Sequence, residues 1–166
     1  MEASEELRAA LGSIVPEKFD SLPDIGLYMD QLIDYLSRTP ATLRQEGGLT
    51  GAMVNNYIKS GLLPRVSGKR YSREHIADLS MIARLKQVLS VSDTGVLLGF
   101  TREDDAEGYY DHFCDCLRAA AEELSGELKG SAESIQSLAL ELALESYVKK
   151  VACEYLIGVL LEQKAE

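Results

Sequence analysis

Two local signals fix a short helix near the middle of the chain, and much of what this sequence can fold into follows from it. The Thr50 hydroxyl suits a helix N-terminus, where it accepts a backbone N–H of the first turn, and Gly61 suits the left-handed residue that closes a helix. Gly51 to Ser60 is therefore expected to be helical, and Leu62-Leu63-Pro64 ends it. On a helical wheel Val54, Tyr57 and Ile58 fall on one side and pack inward, while Ala52, Asn55, Asn56 and Lys59 fall on the other. Adjacent asparagines are locally unfavourable on an exposed helical face, because asparagine prefers caps and turns. The same four side chains suit the major groove of a duplex. Alanine allows close approach, asparagine bonds an adenine edge in bidentate fashion, and lysine reaches a phosphate or a guanine. An ordinary solvated face is the competing explanation.

The next segment changes that balance. Val66 and Tyr71 frame Ser67-Gly68, which is expected to turn a short β-hairpin, and Ser72 then caps a helix from Arg73 to Leu89. Lys69 and Arg70 follow the turn and Arg65 stands at its base, so the hairpin is expected to be a wing that holds flanking phosphates while the helix reads bases.

Charge points the same way once it is read locally. The whole chain carries -10, which argues against nucleic acid, yet Leu49 to Ser92 has seven basic and two acidic residues. The flanks are acidic: Met1 to Gly48 has four basic and nine acidic residues, and Asp93 to Glu166 six and sixteen. A basic island between acidic flanks is a candidate polyanion footprint that the overall balance conceals.

Around this centre the chain reads as helical. An acidic helix is expected over Ser4 to Ile14, and Asp24 is expected to cap another running to Ser37, with Leu27, Leu32, Ile33 and Leu36 on one side. A connector follows from Thr39 to Gly48, in which Thr42 to Gln45 has room for one helical turn; Thr42-Leu43-Arg44 there only mimics a recognition helix. Ser92 is expected to cap a short helix, and Thr101-Arg102-Glu103-Asp104 resembles a capping box opening a helix to Leu128. After Gly130-Ser131, Ser131 to Gln163 is expected to form one long helix whose apolar residues cover more than one face, so it needs burial within the fold or against a second chain.

Asn55-Asn56-Tyr57-Ile58-Lys59-Ser60-Gly61-Leu62-Leu63-Pro64 resembles the signature of MerR-type regulators, in which a helix with an Arg-Tyr-Tyr-like core ends in Gly-Leu-Leu-Pro. Lys69-Arg70-Tyr71-Ser72-Arg73-Glu74-His75-Ile76 resembles their wing, and Val91-Ser92-Asp93-Thr94-Gly95-Val96-Leu97-Leu98 the short helix after their third one. Asp24 to Leu36 with Met53 to Pro64 is also similar to an uncharacterised bacterial family, a domain of unknown function sharing the MerR-like core. The resemblance implies a mainly α fold: a MerR-like winged helix-turn-helix with a small β-hairpin wing over 24–99, an acidic helical extension over 1–23, and a C-terminal helical dimerisation or sensing region over 100–166. It puts Asn55 where such proteins have a base- or phosphate-contacting arginine, Tyr57 at the second motif aromatic and Lys69 at the wing arginine. Departures are plain: Asn55 lacks the charge, Asn56 replaces an aromatic, Ile58 replaces an acid, and the linker from Ser37 to Leu49 is long. The set expected at double-stranded DNA is Ala52, Asn55, Asn56, Tyr57, Lys59, Arg65, Lys69, Arg70 and Tyr71.

Other chemistry has little support. His112 and Cys116 are one helical turn apart and would form half a metal site, with Cys153 a conceivable third ligand, but Cys114 points away and the spacing matches no standard zinc pattern. Asp104, Asp105, Glu107, Asp111 and Asp115 make an acidic run of the kind that is usually solvated. Tyr109-Tyr110 with Phe113 suits core packing better than an effector pocket. No phosphate loop or nucleophile elbow is present, so no enzyme, cofactor or metal is expected. Three cysteines make no disulfide framework, no run of about eighteen uncharged apolar residues would span a membrane, and no signal peptide precedes the acidic start, which makes the cytoplasm the expected address. The expected function is a homodimeric transcription regulator with room for a small-molecule effector. The alternative is a protein-interaction adaptor that binds no DNA.

Overall fold

The computed structural model describes residues 2–43, 48–99, 105–127 and 134–165. Seven α-helices lie among them: α1 (Glu2–Ser13), α2 (Met29–Ser37), α3 (Gly51–Lys59), α4 (Arg73–Leu85), α5 (Val91–Gly99), α6 (Ala106–Glu127) and α7 (Ile135–Ala165), with a single 3-10 turn at Phe19–Ser21. The mainly α expectation holds. The β-hairpin wing does not, because no strand forms among the described residues and Arg65 to Arg70 is an irregular turn.

The reason lies in where Tyr71 directs its backbone groups. Its N–H donates to the Leu27 carbonyl at 2.8 Å and its carbonyl accepts the Leu27 N–H at 3.0 Å, an isolated antiparallel bridge. With both groups satisfied there, none remains for a ladder to Val66. The same bridge holds Leu27 out of a helix, so α2 starts at Met29 instead of after Asp24, and the Tyr28 N–H donates to Gln31 Oε1 at 3.0 Å.

Local chemistry sets several of the other helix ends as expected, although α4 stops at Leu85 and not at Leu89. The Thr50 hydroxyl accepts the Met53 N–H at 3.3 Å, and Gly61 and Gly68 turn the chain with φ of 76° and 78°, values that disfavour any side chain. At the start of α4 the Ser72 N–H donates to His75 Nδ1 at 3.3 Å. Ser90, not Ser92, opens α5, its hydroxyl accepting the Asp93 N–H at 3.0 Å. Asp105 opens α6 by accepting the Gly108 N–H at 2.8 Å. The expected capping box at 101–104, the break at 130–131 and Arg44 and Gln45 lie outside the described residues.

The core gathers on α4, which buries Ile76, Ala77, Leu79, Met81 and Ile82. Leu32 of α2, Val54 and Tyr57 of α3, Leu62 and Leu63 after it, and Tyr110 and Cys114 of α6 close around them. Fully burying one such aliphatic side chain stabilises the fold by about 1.5–3 kcal/mol. Polar bonds hold the N-terminal segment to α6: the Phe19 N–H donates to Asp111 Oδ1 at 2.8 Å, and Lys18 Nζ lies 2.6 Å from Asp115 Oδ1. In contrast, α7 extends for about 46 Å at 1.5 Å per residue, meets α5 and buries only Ile157.

Candidate nucleic-acid interface

Each of the nine residues expected at a duplex has a definite setting. On α3, Val54 and Tyr57 face the core, which leaves Ala52, Asn55, Asn56 and Lys59 exposed on the other side. Among the described residues, neither asparagine side chain hydrogen-bonds to the protein. Their amides are therefore free to donate and accept outward. Arg65, Lys69 and Arg70 are exposed in the turn that follows. Arg70 is nevertheless anchored, its guanidinium 4.9 Å from the Tyr28 ring centroid and Nη2 donating to the Tyr28 hydroxyl at 3.3 Å.

Tyr57 and Tyr71 are buried, at 5% and 6% exposure, and cannot reach a base or phosphate from these positions. The Tyr57 ring carries Lys86 Nζ 5.0 Å from its centroid, and its hydroxyl accepts from that amine at 3.3 Å. Tyr71 packs edge-on against His75, with ring centroids 5.8 Å apart.

Ion pairing divides the molecule. Outside 49–92, Lys18, Arg38, Arg118, Lys149 and Lys150 each sit within 4.0 Å of a carboxylate. Inside it, Arg73 is paired, with Asp20 at 3.9 Å, whereas Lys59, Arg65, Lys69, Arg70, Arg84 and Lys86 have no carboxylate partner among the described residues. Among the described residues, a chain with a surplus of acids thus leaves six of its seven central cations without a carboxylate.

Sequence reasoning passed over Arg84 and Lys86 as site residues. Arg84 is half-buried, with Nε donating to the Ile14 carbonyl at 2.9 Å, Nη1 to the Ser80 carbonyl and hydroxyl at 2.9 and 3.0 Å, and Nη2 to the Thr39 carbonyl at 3.1 Å. Burial pulls its pKa below the ordinary arginine value. The available signal was a cation within the apolar run of α4. Both residues border a cavity of about 420 Å³ between α2, α3 and α4.

The remaining candidates have structural duties. Asp105 caps α6, Asp111 holds Phe19, and the Lys18 hydrogen bond keeps the Asp115 carboxyl below the usual range. Cys116 Sγ lies 3.5 Å from His112 Nε2, and no group of three metal-ligating side chains forms among the described residues. Cys114 is buried, and burial pushes its thiol pKa up. Tyr110 is buried between Phe19 and Phe113, with centroids at 6.2 and 6.4 Å. No helix among the described residues is long and apolar enough to cross a membrane.

No curated protein and no solved structure matches the chain. One family does, over residues 17–113, from just before the 3-10 turn into the first part of α6. That match brings no link to MerR-type regulators. Because it spans more than half of the sequence, the chain belongs to the DUF1836 family, a domain of unknown function.

Proposed function

We propose that this protein binds double-stranded DNA as a transcription regulator, using the exposed face of α3 and the basic turn between α3 and α4. The observation that carries this reading is the distribution of ion pairs: among the described residues, Lys59, Arg65 and Lys69 stay unpaired in a chain of net charge -10. Unpaired lysines and arginines release counterions when they meet phosphates, which supplies sequence-independent affinity. Asn55 and Asn56, free of internal bonds, are the side chains able to discriminate base edges. Arg70 contributes charge from its place on Tyr28, while Tyr57 and Tyr71 support the surface from beneath.

A second copy of the chain belongs to this reading. Leu140, Leu144, Tyr147, Val148, Val151 and Tyr155 of α7 are 47–73% exposed. An apolar surface of this extent along one long helix is the mark of an interaction face. Paired with itself about a twofold axis it would bring two α3 faces into one assembly, as two half-sites of a duplex require.

The test is fluorescence anisotropy with a mixed-sequence duplex across a salt series. Wild-type protein binds at low salt, and a triple Lys59, Arg65 and Lys69 to glutamine variant binds more weakly. Its log–log salt slope is shallower by about 0.9 for each phosphate that is no longer neutralised. None of the three holds the fold together, so circular dichroism stays unchanged. Asn55→Ala instead alters which duplexes recovered from a genomic pull-down are preferred, by about 1–3 kcal/mol at the affected base pair. Absence of binding at low salt, or a triple variant as tight as wild type, ends this reading and leaves the adaptor.

A further inference from the structure

The cavity beside α3 combines apolar walls with two cations of the basic island. Its walls are mainly apolar, supplied by Ile33 and Leu36 of α2, Met53 of α3, and Pro40, Ala41, Leu43 and Leu49 of the connector between those helices. Among the described residues lining it, the charged side chains are Arg84 and Lys86, and there is no carboxylate. Its volume of about 420 Å³ falls in the range of roughly 300–1,000 Å³ occupied by small-molecule sites, which combine apolar walls with a few convergent polar groups.

Both cations keep hydrogen-bonding capacity. A guanidinium has five N–H groups, and the bonds to Ile14, Ser80 and Thr39 use four of those on Arg84, leaving one at Nη2. Lys86 has three N–H groups and gives one to the Tyr57 hydroxyl. Among the described residues neither has an acid to neutralise it. A half-buried cation held by neutral acceptors bears a desolvation cost that an arriving anion would relieve.

We infer that this cavity binds a small carboxylate with an apolar body, its head at Arg84 and Lys86 and its chain along Ile33, Leu36, Leu49 and Met53. A neutral apolar molecule would fill the walls yet leave the cations uncompensated. An amine would be repelled. Met53 and Tyr57 belong to the inner side of α3, so an occupant touches the helix whose outer side carries Asn55 and Asn56.

Isothermal titration calorimetry tests this without nucleic acid, so its failure and the failure of DNA binding are separate results. The probes are octanoate and octan-1-ol, which share an apolar length and differ in the charged head. Octanoate binds at one site per chain, and octanol about tenfold or more weakly, the difference expected of a charge-assisted hydrogen bond in a partly buried site. Lys86→Gln lowers octanoate affinity by about tenfold and leaves octanol unchanged. Arg84→Gln also breaks the bonds to Ile14 and Thr39 and so tests the fold together with the site. Met53→Trp is the second variant, because the larger indole narrows the cavity along its apolar wall; it weakens binding of both probes while the helical circular dichroism is retained. Equal affinity for octanol and octanoate, an unaffected Lys86→Gln, undiminished binding to Met53→Trp, or no heat from octanoate at millimolar concentration each overturns the inference.

Discussion

Helices α4 and α7 are both rich in apolar residues, yet they end in opposite situations. Seven of the 13 residues of α4 are buried, whereas of the 31 residues of α7 only Ile157 is. The contrast comes from partners. Around α4 stand α2, α3 and α6, which give each face something to pack on. For α7 the neighbour is α5, and one helix covers one stripe of another. Apolar content therefore states a demand for burial, and the neighbours decide whether one chain meets it. The family match follows the same line: residues 17–113 take in α4 and what surrounds it and leave α7 out.

The largest effect that would test the contrast is in α4. Leu79 has no exposure, so Leu79→Ala leaves a cavity and costs about 2–5 kcal/mol in urea unfolding. A loss below about 1 kcal/mol would mean that α4 can collapse onto the gap and is no rigid centre. Asp111→Ala comes next. It strands the Phe19 N–H, now bonded to Asp111 Oδ1 at 2.8 Å, and costs about 1–3 kcal/mol. It also frees the 3-10 turn, so hydrogen exchange at Phe19 should quicken ahead of α4. Thr50→Ala removes a cap from α3 and costs about 1 kcal/mol, and Thr50→Ser restores most of it. If serine fails to rescue, the threonine acts through its methyl group and not its hydroxyl.

How much of this was legible beforehand depends on the range of the interaction. Thr50, Gly61 and Ser72 act within a turn of themselves, and α3 and the start of α4 fall where those residues imply. The exposed set Ala52, Asn55, Asn56 and Lys59 followed from helical geometry alone. Tyr71 was misjudged because its partner, Leu27, is far away in sequence and leaves no local trace. That one pairing removed the hairpin and delayed α2. The cavity was illegible for a related reason: its cations stand on α4 and just beyond it, its walls on α2, α3 and the connector between them, and no spacing in the chain links the two sets. Tyr57 and Tyr71 entered the expected DNA-facing set through resemblance, while their burial depends on the whole core.

The smallest effect tests α7 most sharply, because its size should depend on how much protein is present. Leu144 is 57% exposed, so in a lone chain Leu144→Ala removes little buried area and changes stability by no more than about 0.5 kcal/mol. If α7 pairs with a second copy, the same side chain is covered in the dimer and its removal weakens association. The unfolding midpoint of wild-type protein then rises with chain concentration, and that of Leu144→Ala rises less. At the most dilute end the two midpoints converge, since each chain stands alone. Leu79→Ala gives the control: its cost arises inside one chain and stays the same at every concentration. A concentration-independent loss of about 2 kcal/mol or more at Leu144 would show that α7 packs within its own chain, and the contrast with α4 would fall. Midpoints independent of concentration for every variant, with a monomer in sedimentation equilibrium, would keep the contrast and remove the second copy from it.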